Sequence, residues 1–216
     1  VLSLKKTIKI ISKNKIKKEI IVILSKKLTT LKTLNEIKKL KNANKEIKYY
    51  FQKKPFVGGA ILMGINKAKY SHIALMASDL ETNPYHLKNL ISKSIEYKNS
   101  IIVADRWKNK NSFKRYGFLN LIFNKLAQKF IKFFIKVKIN DFTFAYRIYP
   151  KKAIKNCKIS ELRNGWALEL LLLPNKKGFN FKSIPTNWIA RKEGVKSNQL
   201  INYISFLKIL IYYSLK

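Results

Sequence analysis

Three aspartates stand in this chain of 216 residues, at 79, 105 and 141, and each follows closely on an apolar segment. Eleven carboxylates face 46 lysines and arginines, a formal charge of +35. An acid at the end of an apolar element in so basic a chain needs a reason. It suits a hard oxygen ligand for a divalent ion, or a cap for the next helix. The stretch "SHIALMASDLETNP" (71–84) poses that choice, with Asp79 and Glu81 just beyond a strand-length apolar run. Asn83 is better placed to cap the helix that follows, which leaves Asp79 for a ligand. Glu169 lies inside the run "LELLLL", where a carboxylate needs a partner or a raised pKa. Arg106 follows Asp105 directly; an arginine there suits bidentate phosphate binding or a pairing with a nearby acid. The two histidines have neither triad nor metal spacing, and His72 reads as a strand residue and His86 as a helix-face residue.

Composition narrows the classes. Apolar residues at 47% and aromatics at 12% argue for a folded chain rather than a disordered basic one. The single cysteine, Cys157, excludes a disulfide framework and suits a reducing cytoplasm. No run reaches the roughly 18 apolar residues that a membrane span needs. The charge would attract nucleic acid, anionic lipid or phosphorylated substrates. Arginine occurs five times, however, and the remaining 41 basic residues are lysine, rich alongside asparagine and isoleucine as in an AT-rich genome. Most of these lysines read as solvated surface. Tryptophans and tyrosines are dispersed and no nucleic-acid motif is present, so a nucleic-acid partner ranks last.

The elements that must position these residues come from periodicity. Apolar residues at 1, 4, 8 and 11 share a helical face, so the chain opens inside a helix at Val1, as if its true beginning lay upstream. "EIIVIL" (19–24) is an apolar, β-branched strand of the kind buried in a parallel sheet. Helix follows at 30–42, strand at 47–52, a Pro- and Gly-bearing turn and helix at 53–69, strand at 72–78, helix at 85–97 and strand at 100–106. Such alternation predicts a doubly wound α/β sheet, whose ligands bind beyond the carboxyl ends of the strands. Asp79 and Asp105 fall at those ends. The second half predicts a long helix over 118–139, a strand over 141–150, a helix over 165–178 ending near Pro174, and a strand over 179–191. The 118–139 helix carries a wide apolar face and lysines at 125, 129, 132 and 136. It suits either a membrane interface or the cover of a sheet. The tail 200–216 is apolar nearly all round and reads as membrane- or partner-seeking.

At this point the residues resemble a known family. "GGAILMGINKAKYSHIALMASDLETNP" is similar to the donor-site segment of family 2 glycosyltransferases, of the dolichol-phosphate mannosyltransferase and polyprenyl-phosphate type. Ala77-Ser78-Asp79-Leu80-Glu81 with Pro84 matches its Asp-Ala-Asp strand end. "IIVADRW", "INDFTFAYRIYPKKAI", "NGWALELLLLPNKKGFNFKSIPTNW" and "ARKEGVKSN" resemble four later motifs in the right order. The resemblance implies a GT-A-like fold: a doubly wound mixed sheet flanked by helices, with a C-terminal amphipathic or apolar helix. It divides the chain into a catalytic domain over 1–198, lacking its first strand, and an apolar helix over 199–216.

It also implies roles. Asp79 would be catalytic and, with Glu81, a ligand of Mg²⁺ or Mn²⁺. Gly58, Gly59, Asp79 and Asp105 would meet the nucleotide-sugar donor. Arg106, Lys125 and Arg191 would bind phosphate. Asp141, Arg147 and Glu169 would face the sugar or acceptor, although Asp141 and Arg147 could equally hold their strand pair. The reaction would be inverting, and the acceptor a lipid-linked phosphate or a glycan. The protein would sit in the cytoplasm, peripheral at the inner face of the cytoplasmic membrane.

Departures are specific. No carboxylate stands at Leu24, Ser25 or Lys26, the family's Asp-Asp position; the Gly-Lys-Gly turn reads Phe56-Val57-Gly58; the first acid of Asp-Ala-Asp is Ala77; and the last turn reads Lys196-Ser197. Three readings follow: a glycosyltransferase, a non-catalytic membrane-associated relative of the same fold, and a basic nucleic-acid-binding domain.

Overall fold

A computed structural model describes residues 1–12, 16–79, 81–110, 112–113, 117–135, 137–188 and 199–214. In chain order the elements are α1 (Leu2–Ser12), β1 (Ile20–Leu24), α2 (Leu31–Ala43), β2 (Ile47–Phe51), α3 (Phe56–Lys67), β3 (His72–Leu75), α4 (His86–Glu96) and β4 (Ile101–Asp105). A 3₁₀ turn (Arg106–Lys108) leads to α5 (Phe118–Phe134), β5 (Arg147–Pro150), α6 (Lys151–Ile154), α7 (Trp166–Lys176), β6 (Phe181–Pro185) and α8 (Gln199–Ser214). The alternation expected between 19 and 106 is present throughout.

The strands pair in two groups. β1 and β2 run parallel, Ile20 against Ile47 through Leu24 against Phe51. The other four form a mixed sheet in the order β3-β5-β4-β6. There β5 is antiparallel to both β3 and β4, while β6 is parallel to β4. The fold is mixed α/β, with helices against the sheets. Where the sequence suggested one open sheet, the described strands make two.

Burial follows pairing. β4 has a strand on each side, and all five of its residues are buried. Ile101 and Val103 join Leu168 and Leu171 of α7 and Ile131 of α5 in the main core. Burying each such aliphatic side chain stabilises by about 1.5–3 kcal/mol. β1 reads in sequence as an equally buried strand, yet Ile20 to Ile23 remain partly exposed. Its physical reason is the missing neighbour: among the described residues β1 pairs with β2 alone.

Several element ends differ from the periodicity: β3 stops at Leu75 rather than 78, and β6 covers only Phe181–Pro185 of the expected 179–191. α5 stops at Phe134 rather than 139, and Ile135 and Ile139 turn inward, both buried. Residues 141–146 are not strand, because Asp141 and Thr143 curl around Arg106 instead of joining the ladder. α7 runs past Pro174 to Lys176. The proline sits in the last turn, so few helical hydrogen bonds depend on its missing N–H.

α5 settles the choice between sheet cover and exposed face in an unexpected way. Its buried residues are Asn124, Gln128 and Ile131, while Phe118, Leu119, Ile122, Phe123, Leu126, Phe130, Phe133 and Phe134 are exposed. The helix shows its apolar face to solvent. No helix among the described residues is long and apolar enough to cross a membrane.

Candidate functional site

A cleft of about 2300 Å³ lies between β1 and β3. Its wall includes Ser25 beyond β1, Asp79 and Glu81 beyond β3, and Arg106 beyond β4. Three strand ends thus converge on one space, as expected of the ligand site of an open α/β sheet.

Asp79 owes its place to a tight local turn. Its Oδ1 accepts a hydrogen bond from the backbone N–H of Glu81 (3.1 Å), the self-capping that short acids favour. Asn83 instead caps the approach to α4, its Oδ1 accepting from Tyr85 N (3.0 Å). α4 itself begins after Tyr85 with no side-chain cap, so the cap expected of Asn83 falls on the turn before the helix. Thr82 is buried and bridges Trp188, which fastens the turn to the segment after β6.

On the opposite wall the chain spends charge on itself. Arg106 is buried and grips Asp141 through both ends of its fork, Nε to Oδ2 (2.7 Å) and Nη2 to Oδ1 (2.9 Å). Nη2 also donates to Thr143 Oγ1 (3.1 Å). The guanidinium lies between two rings, 4.6 Å from the Phe144 centroid and 5.4 Å from that of Phe113. Gln128 on α5 donates to Asn124 Oδ1 (2.9 Å) and to Thr143 Oγ1 (2.8 Å), and its own Oε1 accepts from Phe142 N (2.8 Å). A polar chain therefore runs from α5 through the 141–144 loop to Arg106. It explains why α5 turns amides inward.

Asp105 is fully buried and does not line the cleft. It caps the 3₁₀ turn, accepting from Trp107 N (3.0 Å). Burial, aided by the nearby charge of Asp141, pushes its pKa above the usual aspartate value. Asp141 is likewise buried. Arg147 is buried in β5, where it donates to Tyr149 Oη and to the carbonyls of Ala167 and Phe142. It stitches β5 to α7 and to the 142 loop. Glu169 faces the 160–161 turn, accepting from Ser160 N (2.8 Å), Ser160 Oγ and Glu161 N (3.1 Å). The donors that this buried carboxylate needs are thus two backbone N–H groups and the Ser160 hydroxyl of one turn.

Gly58 and Gly59 are buried against the protein's own backbone, away from the cleft wall. Gly58 N donates to Leu162 O (2.8 Å), and a Cβ on Gly58 would meet Leu162 Cα at 2.7 Å. The close approach these glycines permit is to Leu162 and Lys54. Lys125 is exposed on α5, outside the cleft. Arg191 lies outside the described residues. The structure therefore gathers Asp79, Glu81 and Arg106 in one cleft and places Gly58, Gly59, Asp105, Lys125, Asp141, Arg147 and Glu169 elsewhere.

Sequence reasoning missed Asn124, Gln128, Thr143 and Glu161. The first two are four residues apart on one helical face, which is a legible signal. Glu161 gathers the N–H groups of Arg163, Asn164 and Gly165. Burial raises its pKa, and those three donors outweigh it, so the carboxyl stays below its usual range.

The family model described as glycosyl transferase family 2 matches residues 2–157. The chain belongs to glycosyl transferase family 2. Among solved structures, this family 2 chain is similar to glucosyl-3-phosphoglycerate synthase from Mycobacterium tuberculosis in complex with uridine-diphosphate, at 12% identity and a TM-score of 0.67. The match covers 98% of this chain and 74% of that one. At that identity the likeness shows the fold, GT-A, as expected from the resemblance. A weaker likeness is to 4-diphosphocytidyl-2C-methyl-D-erythritol synthase from Anaerococcus prevotii, at 13% identity and a TM-score of 0.47, covering 96% of this chain and 85% of that one.

Proposed function

We propose that this family 2 glycosyltransferase moves a sugar from a nucleotide-sugar donor to a lipid-linked phosphate at an anionic membrane surface. Membership of the family carries the transferase reading. One observation carries the site: Asp79 and Glu81 stand on the wall of the cleft, at the C-terminal end of β3, inside the matched region. Two hard carboxylates fit Mg²⁺ or Mn²⁺ held partly by substrate, because Mg²⁺ commonly takes one or two carboxylates and completes its shell with phosphates and waters. Among the described residues no group of three His, Cys, Asp or Glu side chains is placed to hold a metal ion by itself. Asp79 and Glu81 would hold the ion, and the ion would offset charge developing on the departing diphosphate.

The remaining residues orient rather than react. The Arg106–Asp141 pair anchors the 141–144 loop, so that Thr143 and Phe144 keep their places on the cleft wall. Arg106 acts here as a positioning residue. A phosphate acceptor is ionised near pH 7 and attacks the anomeric carbon directly, with inversion. It needs no strong base, consistent with histidines engaged by the fold: His72, on the cleft wall, bonds Lys98 O and His86 bonds Asn187.

The acceptor class rests on α5. Its exposed phenylalanines and leucines, with Lys125, Lys129 and Lys132 alongside, suit the boundary of an anionic bilayer. Each basic residue near such a surface contributes about 1 kcal/mol. On this reading the protein works at the inner face of the cytoplasmic membrane, with α5 as the surface that meets the lipid. The test is transfer of labelled sugar from UDP- or GDP-sugars, with Mn²⁺, to polyprenyl phosphate in vesicles. Label entering the organic phase supports the reading. Label on a soluble glycan instead would overturn the acceptor, and no turnover with any donor would favour the non-catalytic relative.

A further inference from the structure

The pairing of Arg106 with Asp141 spends the arginine that the sequence offered for phosphate, and another arginine stands on the same cleft. Three arginines lie among the described residues. Arg106 and Arg147 are buried and bonded to the fold. Arg163 is exposed and lines the cleft, and among the described residues no carboxylate lies within ion-pair distance of it. We propose that Arg163, with the side-chain amide of Asn164, binds a phosphate group of substrate, the guanidinium taking two of its oxygens and the amide a third. This rests on the cleft being the transferase site and adds a contact to substrate besides Asp79 and Glu81.

Four observations carry it. First, both side chains line the cleft, and among the described residues neither makes a hydrogen bond within the protein. Second, their loop is held rigidly. Glu161 Oε1 accepts from Arg163 N (2.6 Å), and its Oε2 accepts from Asn164 N (2.8 Å) and Gly165 N (2.5 Å). Leu162 O accepts from Gly58 N (2.8 Å), where a Cβ on the glycine would find no room. Third, the guanidinium rests on a ring, 4.5 Å from the Phe56 centroid. Stacking of this kind covers one face of the fork and leaves its N–H edge for a bidentate anion. Phe56 holds a φ of 59°, uncommon for a bulky side chain, and its ring stays half-exposed on the cleft wall. Such backbone outliers concentrate where ligands bind. Fourth, Phe56 opens α3 just beyond the carboxyl end of β2, as Asp79 follows that of β3. Arg163 is therefore held at the strand ends where ligands of α/β sheets sit. None of these contacts involves an edge of β1 or β3.

Lysines 26, 27, 53 and 54 also line the cleft and are exposed, but an ammonium attracts without setting geometry. The phosphate could come from the donor's diphosphate or from the acceptor. Both offer the same oxygens to the fork.

The test titrates inorganic pyrophosphate into the whole chain at physiological ionic strength, by calorimetry. Arg163→Gln should weaken binding by about tenfold or more, as loss of charge-assisted hydrogen bonds implies. Arg163→Lys keeps the charge without the fork and should regain only part of that affinity. Lys26→Gln removes an equal charge from the same wall and should cost no more than about threefold. UDP, GDP and polyprenyl phosphate in vesicles then separate the sources. Weakened nucleotide binding in Arg163→Gln assigns the contact to the donor. A raised KM for polyprenyl phosphate at unchanged nucleotide affinity assigns it to the acceptor. Wild-type affinity of Arg163→Gln for every probe would overturn the proposal, as would full affinity in Arg163→Lys or equal losses in Lys26→Gln. Pyrophosphate binding that depends on Arg163 in a protein that transfers no sugar would support the phosphate contact while refuting the transferase reading.

Discussion

Asp141→Ala is the sharpest perturbation of the cleft's fixed wall. Asp141 is fully buried and accepts four hydrogen bonds: from Arg106 Nε (2.7 Å), Nη2 (2.9 Å) and backbone N (3.1 Å), and from Phe144 N (3.2 Å). Removing it leaves a guanidinium that is itself buried without its counter-ion. Breaking a buried pair from one side costs about 3–5 kcal/mol. With a urea m-value of about 2–3 kcal/mol/M, the unfolding midpoint should fall by about 1–2.5 M. Arg106→Met with Asp141→Leu removes both charges and keeps apolar volume. Replacing a buried pair this way is often nearly neutral, so the double variant should recover at least about 1.5 kcal/mol relative to the sum of the singles. Urea melts followed by tryptophan fluorescence measure each term. A loss below about 1 kcal/mol for Asp141→Ala, or strict additivity, would show that the pair does not hold the loop.

Three further outcomes are expected. Gly58→Ala should destabilise by about 1–3 kcal/mol, because its Cβ would meet Leu162 backbone at 2.7 Å; an unchanged midpoint would mean that the α3 start is not pressed on that loop. Asp105→Asn keeps a good capping side chain and removes a carboxyl whose pKa burial and Asp141 push up. A raised folded pKa means that the stability of the wild type falls as pH rises through it. The variant should therefore match the wild type near pH 4 and exceed it at pH 7, and thermal melts showing the reverse order would contradict the burial argument. Phe118→Ser, Leu119→Ser and Phe133→Ser together alter side chains that are 76, 68 and 83% exposed. They should leave the melt unchanged and lower partitioning onto anionic vesicles more than tenfold, since each buried large apolar side chain contributes about 1.5–3 kcal/mol; unchanged partitioning would remove α5 from the membrane.

Strand and helix alternation was legible because each element carries its own period, and the acids at strand ends could be read as ligand candidates from position alone. The antiparallel insertion of β5 between β3 and β4 was not, since pairing partners are chosen across the chain and leave no local pattern. The same holds for Arg106. Its neighbour in sequence is Asp105, yet its partner is Asp141, thirty-five residues away, and that contact costs β5 its first half. Glu169 stood out correctly as a buried acid needing partners, but those partners are two backbone N–H groups and the Ser160 hydroxyl of a turn that no sequence pattern announces. α5 was legible as an amphipathic helix, and its apolar stripe left membrane interface and sheet cover both open. The side chains that face inward are amides that hold the 141–144 loop, a choice that only the loop's distant contacts decide.

The account turns on Asp79, and calorimetry addresses it directly. Titrating UDP and GDP into the wild type with Mn²⁺, with EDTA, and into Asp79→Ala separates ion-dependent binding from general attraction to a basic protein. The account predicts saturable heat for at least one nucleotide with Mn²⁺, lost with EDTA and weakened at least tenfold in the variant. Equal binding by Asp79→Ala, or binding indifferent to Mn²⁺, would contradict it.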